Sequence, residues 1–256
     1  MRMPAILLLL GVLILRAGPA AAADPQLVPD VSQSDIEIRY SFAGETILLF
    51  GAILYPDRKL PDEDVDIVIV LKGPSVPITI REKRQIGGIW MNAEAVGMRS
   101  APGYYAIGSS RPISDIVDER TAAIYELGLH NLQLSPTGFT SPDQLQRFET
   151  GLIDLNRRTR IYSEDASAVS IREGVLYRAS MTVPARVPVG GITAQTFLIS
   201  HGKVLAVASR DITVRKTGFE RFIAMAAQKF GFFYGLVAIL LSLAFGYAAS
   251  AYFGRR

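Results

Sequence analysis

The stretch FGFFYGLVAILLSLAFGYAASAYFG, residues 230–254, contains no charged residue. A helix over its 25 positions is about 37 Å long, and the hydrocarbon core of a bilayer needs about 20 residues. Aromatic residues lie near both ends, as they do at the two interfaces of membrane-spanning helices. They are Phe230, Phe232, Phe233, Tyr234, Tyr247, Tyr252 and Phe253. The stretch therefore predicts a single transmembrane helix over residues 230–254.

Small residues form one face of this helix, at spacings of three and four residues. They are Gly231, Gly235, Ala238, Ser242, Gly246 and Ser250. Such faces let helices approach closely in lipid, where packing drives association. We expect this face to contact a membrane protein partner or a second copy of the chain. The alternative is that the stripe reflects only the high Ala and Gly content of the helix.

Two shorter segments flank the predicted span. Residues 217–229 include the amphipathic stretch Phe219–Lys229 and are predicted to form a juxtamembrane helix. Arg255 and Arg256 follow the span as a basic tail, which the positive-inside rule assigns to the cytoplasm.

The N-terminal residues have the features of a secretory signal peptide. Arg2 precedes the apolar run Ala5–Leu15, and the small residues Ala20–Ala23 follow. Eleven apolar residues are too few to span a bilayer. We predict a signal peptide over residues 1–23 that is cleaved before Asp24. The domain between signal peptide and span is then periplasmic, at the outer face of the bacterial inner membrane.

Composition excludes several kinds of site. The chain is 49% hydrophobic and has no cysteine, which excludes disulfides and cysteine-ligated metals. Its two histidines, His130 and His201, fall in predicted turns, so we predict no metal site and no cofactor. When the four arginines of the targeting segments are set aside, 23 basic residues remain against 24 acidic ones. The pI near 9.1 therefore gives no support for nucleic-acid binding.

Residues 24–216 have mainly β patterns. Apolar and polar residues alternate over Ile36–Phe42, and Thr46–Ile53 follows a turn, which predicts a hairpin with one buried face. Val65–Leu71 is apolar except for Asp66 and predicts a buried strand. Further strands are predicted over Val76–Ile80, Ile89–Asn92 and Tyr104–Gly108.

The pattern changes to helix in the middle of the chain. Ser114–Leu127 lacks Gly and Pro and precedes Gly128, a residue typical of helix C-caps. Ser141, followed by Pro142 and Gln144, is typical of a helix start. The apolar residues after it fall on one face of a helix that ends near Arg158: Leu145, Phe148, Leu152 and Leu155.

Strands return afterwards, over residues 168–173, 175–183, 192–200 and 204–214, with a tight turn at Ser200–Lys203. Short strands between Gly and Pro turns favour an immunoglobulin-like β-sandwich, either one composite sandwich or two small ones. The predicted fold class is mainly β with a helical insertion, plus a single C-terminal transmembrane helix. The predicted segments are 1–23, 24–112 (β-rich), 113–160 (helical), 161–216 (β-rich), 217–229, 230–254 and 255–256.

Several stretches resemble a family of uncharacterised alphaproteobacterial transmembrane proteins of about this length. They are IEIRYSFAGETILLFGAI (36–53), REKRQIGGIWMN (81–92), YYAIGSSRP (104–112), PARVPVGGITAQTFLISHGKV (184–204) and VRKTGFERFIAMAAQKFGFFYGLVA (214–238). The resemblance implies the same topology. It implies no activity and no catalytic or ligand-binding residues.

No sequence pattern of a serine hydrolase, a zinc protease or a phosphate-binding loop occurs, so we do not expect an enzyme. Six candidate ligand-binding residues surround loops between predicted strands. They can line a pocket for an anion or a small molecule, because arginine offers forked donors to oxyanions. They are Arg84, Trp90, Asn92, Tyr104, Tyr105 and Arg111. The alternative is that Trp90 fills the core and the arginines are solvated.

These observations predict a membrane-anchored periplasmic accessory or ligand-sensing subunit of an inner-membrane complex. A transporter of small anions is the first partner to test. The alternatives are an envelope enzyme that acts on a small substrate and a purely structural envelope protein.

Overall fold

The computed structural model describes residues 24–38, 44–56, 65–138, 140–216 and 219–253. The predicted signal peptide and cytoplasmic tail lie outside these residues. Strands in sheets, a few helices and one long apolar helix at the C-terminal end make up the described chain, which confirms the mainly β fold class.

The described residues form thirteen strands and five α-helices. The strands are β1 (Gln26–Val31), β2 (Asp35–Ile38), β3 (Gly44–Leu54), β4 (Asp66–Lys72), β5 (Ser75–Ile86), β6 (Ile89–Pro102), β7 (Tyr105–Ser109), β8 (Ser135–Thr137), β9 (Tyr162–Asp165), β10 (Val169–Arg172), β11 (Leu176–Pro184), β12 (Gly190–Ser200) and β13 (Lys203–Lys216). The helices are α1 (Ile113–Ile116), α2 (Glu119–Ile124), α3 (Pro142–Arg158), α4 (Phe219–Lys229) and α5 (Gly231–Phe253).

Two sheets share one hydrophobic core. The first has the strand order β1-β3-β11-β10, and the second has the order β2-β13-β12-β4-β7-β9. Their core contains Ile47 and Ile69 from before the helical region and Met181 and Ile212 from after it. The two β-rich halves therefore build one composite sandwich. Its immunoglobulin type stays a prediction.

Strand β4 explains why residues 65–71 read as continuously apolar. Ile67, Ile69 and Leu71 face the sandwich core, while Val68 and Val70 pack in a second core. That second core is formed with the helical segment on the other side of the sheet. Because both faces of this strand are covered, its residues are apolar throughout instead of alternating between apolar and polar.

The predicted hairpin between Ile36–Phe42 and Thr46–Ile53 is wrong for the described residues, and residues 39–43 lie outside them. Strand β2 pairs in parallel with the end of β13, whereas β3 pairs with β1 and β11 in the other sheet. The chain thus passes from one sheet to the other between these strands. Alternation predicts a half-buried strand but carries no information about its partner.

The helical segment is confirmed in part. Ser141 accepts a hydrogen bond from the backbone N–H of Gln144 at 3.4 Å, and α3 runs to Arg158 as predicted. Its buried face includes Ile153, whereas Leu155 is 57% exposed, so the predicted stripe is wrong at its last position.

The helix predicted over Ser114–Leu127 is interrupted. Helix α1 ends at Ile116, the next residue Val117 has extended backbone, and α2 begins after Asp118. The Asp118 carboxylate accepts a hydrogen bond from the backbone N–H of Thr121 at 2.9 Å. Asp118 is thus the N-cap of a second helix. The lack of Gly and Pro, on which the prediction of one continuous helix rested, gives no sign of this cap.

A third sheet, with the strand order β5-β6-β8, leaves the sandwich, and its two long strands β5 and β6 form a ribbon. The pairing of β4 with β7 continues into that of β5 with β6 through hydrogen bonds from Gly73 N–H to the Tyr104 carbonyl and from Gly103 N–H to the Pro74 carbonyl. We call residues 75–102 the ribbon and the six residues Ile86–Met91 at its turn the tip.

The ribbon starts at the end of the sandwich from which the chain continues to the C-terminal helices. Lys72 at the end of β4 lies opposite Thr193, and Val214 near the end of β13 lies opposite Gly190. A Cβ added at Gly190 would come within 3.1 Å of Pro74. We call this end of the sandwich the anchor end.

Helix α5 is long and apolar enough to cross a membrane over Gly231–Ser250. None of the residues in the window Gly231–Ser250 is buried, and the helix carries no charged residue. Helix α4 precedes it, and the Tyr234 N–H bonds to the Phe230 carbonyl at the junction between the two.

Candidate functional site

The tip of the ribbon exposes a cluster of large apolar side chains. Ile89 is 70% exposed and Trp90 is 67% exposed, and Ile86 and Met91 are about half exposed. Gly87 and Gly88 form the turn with φ of +60° and +84°, values at which glycine is favoured. Trp90 is therefore not a core residue, which rules out the alternative interpretation of its role.

We call the ribbon residues outside the tip, 75–85 and 92–102, the shaft, and helix α3 packs against it. Val96 and Met98 on β6 bury themselves against Phe148 of the helix, with Ile78 and Ile80 of β5 alongside. The apolar residues of the shaft are covered, whereas those of the tip extend past the end of this cluster. The exposed cluster is therefore presented on a supported strand pair.

An ionic network crosses the shaft next to the tip. Arg84 bonds to Glu94 at 2.7 Å and to Glu82 at 3.3 Å, and Arg147 of α3 bonds to Glu94 at 3.0 Å. Gln144 donates to the same Glu94 carboxylate at 3.1 Å. The hydrogen bond and charge of Glu82, with the charge of Glu94, raise the pKa of Arg84 above its ordinary value. Both glutamates are thus neutralised by arginines.

The six predicted ligand-binding residues lie in three separate places. Arg84, Trp90 and Asn92 lie near the tip, where Arg84 is opposite Met91 and Lys83 is opposite Asn92. Tyr104 and Tyr105 are buried where the ribbon meets the sandwich. Arg111 lies past the far end of β7, at the other end of the sandwich. The structure does not bring the six residues into one pocket.

Tyr104 and Tyr105 fix the junction between ribbon and sandwich. The Tyr104 hydroxyl donates to the Thr182 carbonyl at 3.1 Å. The Tyr105 hydroxyl donates to the Glu126 carbonyl at 2.7 Å and accepts from the Gly128 N–H at 3.2 Å. Burial raises the pKa of both phenols well above the usual range, so they remain neutral donors.

Arg111 holds a buried carboxylate. Its Nε lies 2.9 Å from Oδ1 of Asp66, and a guanidinium nitrogen bonds to Oδ2, while Ser110 donates to Oδ1 at 2.7 Å. Burial raises the pKa of Asp66, but the hydrogen bonds from Arg111 and Ser110 and the Arg111 charge together lower it below its ordinary value. The Arg111 guanidinium donors that could bind a free anion are bonded to the Asp66 carboxylate instead.

Sequence reasoning missed a cleft of about 470 Å³ at the open edge between the two sheets. Arg160 and Arg186 line it, together with Ser163, Ser180 and Asp165. Its residues come from three separate segments, and Arg160 has a positive φ of 59°. Neither residue spacing nor a local motif marks such a site in the sequence.

The two histidines lie on the surface as the sequence predicts. His130 is in a short 3₁₀ turn, and His201 is in the β12–β13 turn with φ of 49°. Within the described ranges, no group of three or more His, Asp or Glu side chains is placed to hold a metal ion.

A family profile described as "Putative transmembrane protein (Alph_Pro_TM)" matches residues 26–255. The match covers nearly the whole chain, so the chain belongs to this family, and the resemblance of the sequence stretches is confirmed. A search of curated proteins found no match.

Proposed function

We propose that this member of the transmembrane family is an accessory subunit of an inner-membrane complex, with its β domain in the periplasm and its C-terminus in the cytoplasm. The observation that carries the proposal is helix α5. It is an uncharged helix of 23 residues, and the apolar window Gly231–Ser250 has no buried residue, so lipid or another protein must cover it.

The small-residue face of α5 supports a helix partner. A Cβ added at Gly231, Gly235 or Gly246 would meet no other atom within 4 Å. The Ser242 hydroxyl donates to the Ala238 carbonyl at 2.9 Å within the helix. Association through this face therefore depends on close backbone packing rather than on a hydrogen bond between helices.

The cleft between the sheets supports a ligand-sensing role for the same subunit. Arg84 and Arg111, on which the sequence argument for anions depended, are both bonded to carboxylates. Arg160 and Arg186 are exposed at the cleft, which also contains serine hydroxyls. Guanidinium and hydroxyl groups suit a small oxyanion, and a transporter of such anions is the first partner to test.

Crosslinking in native membranes, followed by mass spectrometry, tests the partner. The parent chain should capture a multispanning protein or a second copy through α5. Gly235→Leu and Gly246→Leu add bulk where the backbones meet and should reduce the crosslinked species several-fold. The matched control is Leu240→Ala on the opposite side of the helix, which should crosslink like the parent.

Equal crosslinking by all four chains would contradict the helix interface and leave α5 as a plain anchor. Absence of any stoichiometric partner would instead favour the alternatives of an envelope enzyme or a structural envelope protein.

The ligand is tested separately by the thermal unfolding of the full chain in detergent with added sulfate or phosphate. Either anion should raise the midpoint in the parent. Arg160→Gln and Arg186→Gln should remove the effect, whereas Arg84→Gln should keep it. No shift with either anion would contradict an oxyanion site in this cleft.

A further inference from the structure

We propose that the tip of the ribbon inserts into the headgroup region of the same bilayer that α5 spans. The domain then contacts the membrane at two places, the anchor helix and the tip. This inference goes beyond the accessory role and holds whether or not the protein has a partner.

Position is the first argument. The ribbon and the chain that leads to α5 both leave from the anchor end, since Lys72 and Val214 lie at the same end of the six-stranded sheet. Backbone hydrogen bonds of Gly73 and Gly103 connect β4 and β7 to the ribbon, whose β5–β6 register shifts at two places, between Val76 and Ile78 and between Glu82 and Lys83. A ribbon that continues these strands runs away from the sandwich on the side that faces the anchor.

Reach is the second argument. The twelve residues of β5 extend about 40 Å at roughly 3.3 Å per residue. The eleven residues of α4 and the three other residues between Lys216 and Gly231 separate the sandwich from the span by at most about 27 Å, with the helix upright and the other three residues fully extended. A ribbon that points toward the membrane is therefore long enough to reach the bilayer for any tilt of α4.

Chemistry is the third argument. Trp90 and its neighbours Ile86, Ile89 and Met91 form an exposed apolar cluster at the end of the ribbon. Tryptophan favours the membrane interface because its ring is apolar and its N–H is polar. The Gly87–Gly88 turn keeps polar backbone groups at the tip, which makes insertion into the hydrocarbon core costly and limits it to the headgroup region.

Charge next to the tip fits an anionic lipid surface. Arg81, Lys83 and Arg84 lie on β5 just before the tip and are exposed. The two glutamates in this part of the ribbon, Glu82 and Glu94, are bonded to Arg84 and to Arg147 of α3. The region keeps a net positive charge, which attracts anionic headgroups. A protein groove would also cover the apolar cluster, but the position at the anchor end favours lipid.

Trp90 reports on the tip directly because it is the sole tryptophan of the sequence. The full chain is reconstituted into vesicles of phosphatidylcholine with phosphatidylglycerol, and the fluorescence is compared with that in vesicles whose acyl chains carry bromine near the headgroup. We expect brominated lipid to quench most of the Trp90 emission and vesicles to shield Trp90 from acrylamide. Helix α5 contributes no signal, since it contains no tryptophan.

Ile89→Glu keeps the reporter and places a charge at the tip, so quenching by bromine should be lost. The matched control is Leu205→Glu, an exposed apolar residue of β13 next to the turn at the opposite end of the sandwich, which should be quenched like the parent. Trp90 that is accessible to acrylamide and unquenched by bromine would overturn the proposal. Trp90 that is shielded from acrylamide but unquenched by bromine would overturn it in favour of a protein contact.

Discussion

Strand β4 buries its apolar side chains, whereas the ribbon that continues from it exposes apolar side chains at its tip. Ile67–Leu71 are buried on both faces, between the sandwich core and the second core. At the tip of the ribbon, where β5 pairs with β6, Ile89 and Trp90 are more than half exposed. Strand formation is thus separate from burial, which depends on the layers packed on each face. The exposed part of the ribbon is the part free to contact something outside the domain.

The largest expected effect is a difference in the free energy of unfolding between the same substitution, isoleucine to alanine, made in the core and made at the tip. Ile69→Ala leaves a cavity between the sheets and should lower the free energy of unfolding by about 2–5 kcal/mol. Ile89→Ala removes a side chain that packs on little and should change it by less than about 0.5 kcal/mol. Urea unfolding of the full chain in mild detergent, followed by circular dichroism, measures both. Equal losses would show that the tip is packed and would remove the contrast.

The junction between the two regions should show an intermediate effect. Tyr105→Phe removes a buried hydroxyl and leaves the Glu126 carbonyl and the Gly128 N–H without their partner. The free energy of unfolding should fall by about 1–3 kcal/mol, the cost of buried unsatisfied polar groups. Tyr125→Phe, which alters a partly exposed ring, is the control and should have little effect. A loss of the same size in both variants would mean that the Tyr105 hydroxyl does not hold the junction.

A smaller effect should appear in the pH dependence of the sandwich. Because the folded pKa of Asp66 is lowered, its stabilisation is present above the ordinary carboxyl pKa of about 3.9 and is lost as the pH falls through the lower folded value. Relative to Asp66→Asn, the parent should gain about 1 kcal/mol or less above that range, since Arg111 is half exposed.

The gain should shrink as the medium becomes more acidic, and urea titrations at several pH values measure it. Arg84→Ala, which alters the ribbon network, should leave this pH dependence unchanged. A parent and an Asp66→Asn variant that stay separated by a constant amount down to the most acidic conditions would contradict the role of Arg111.

Local patterns predicted elements well where one local cause dominates. The Ser141 cap and the following apolar period predicted α3, and the apolar run over 65–71 predicted β4. Partners and interruptions were missed, because the pairing of β2 with β13 joins residues far apart in sequence, and Asp118 restarts a helix through one side-chain bond.

The candidate site was predicted less well than the fold. Arg84 and Arg111 were identified as donors for a ligand, but their carboxylate partners come from other strands and cannot be read from spacing. Trp90 is a candidate ligand-binding residue in the sequence, but the sequence does not show that it is exposed at the end of a ribbon. Its exposure follows from the length of the ribbon beyond α3, which is a property of the whole fold.

The orientation of the β domain tests the central claim most directly. A reporter enzyme that is active only outside the cytoplasm is fused after Lys216 in one chain and after Arg256 in another. A domain held at the outer face by a single span predicts an active first fusion and a silent second one. The reverse pattern would contradict the orientation, and activity in both fusions would contradict the span.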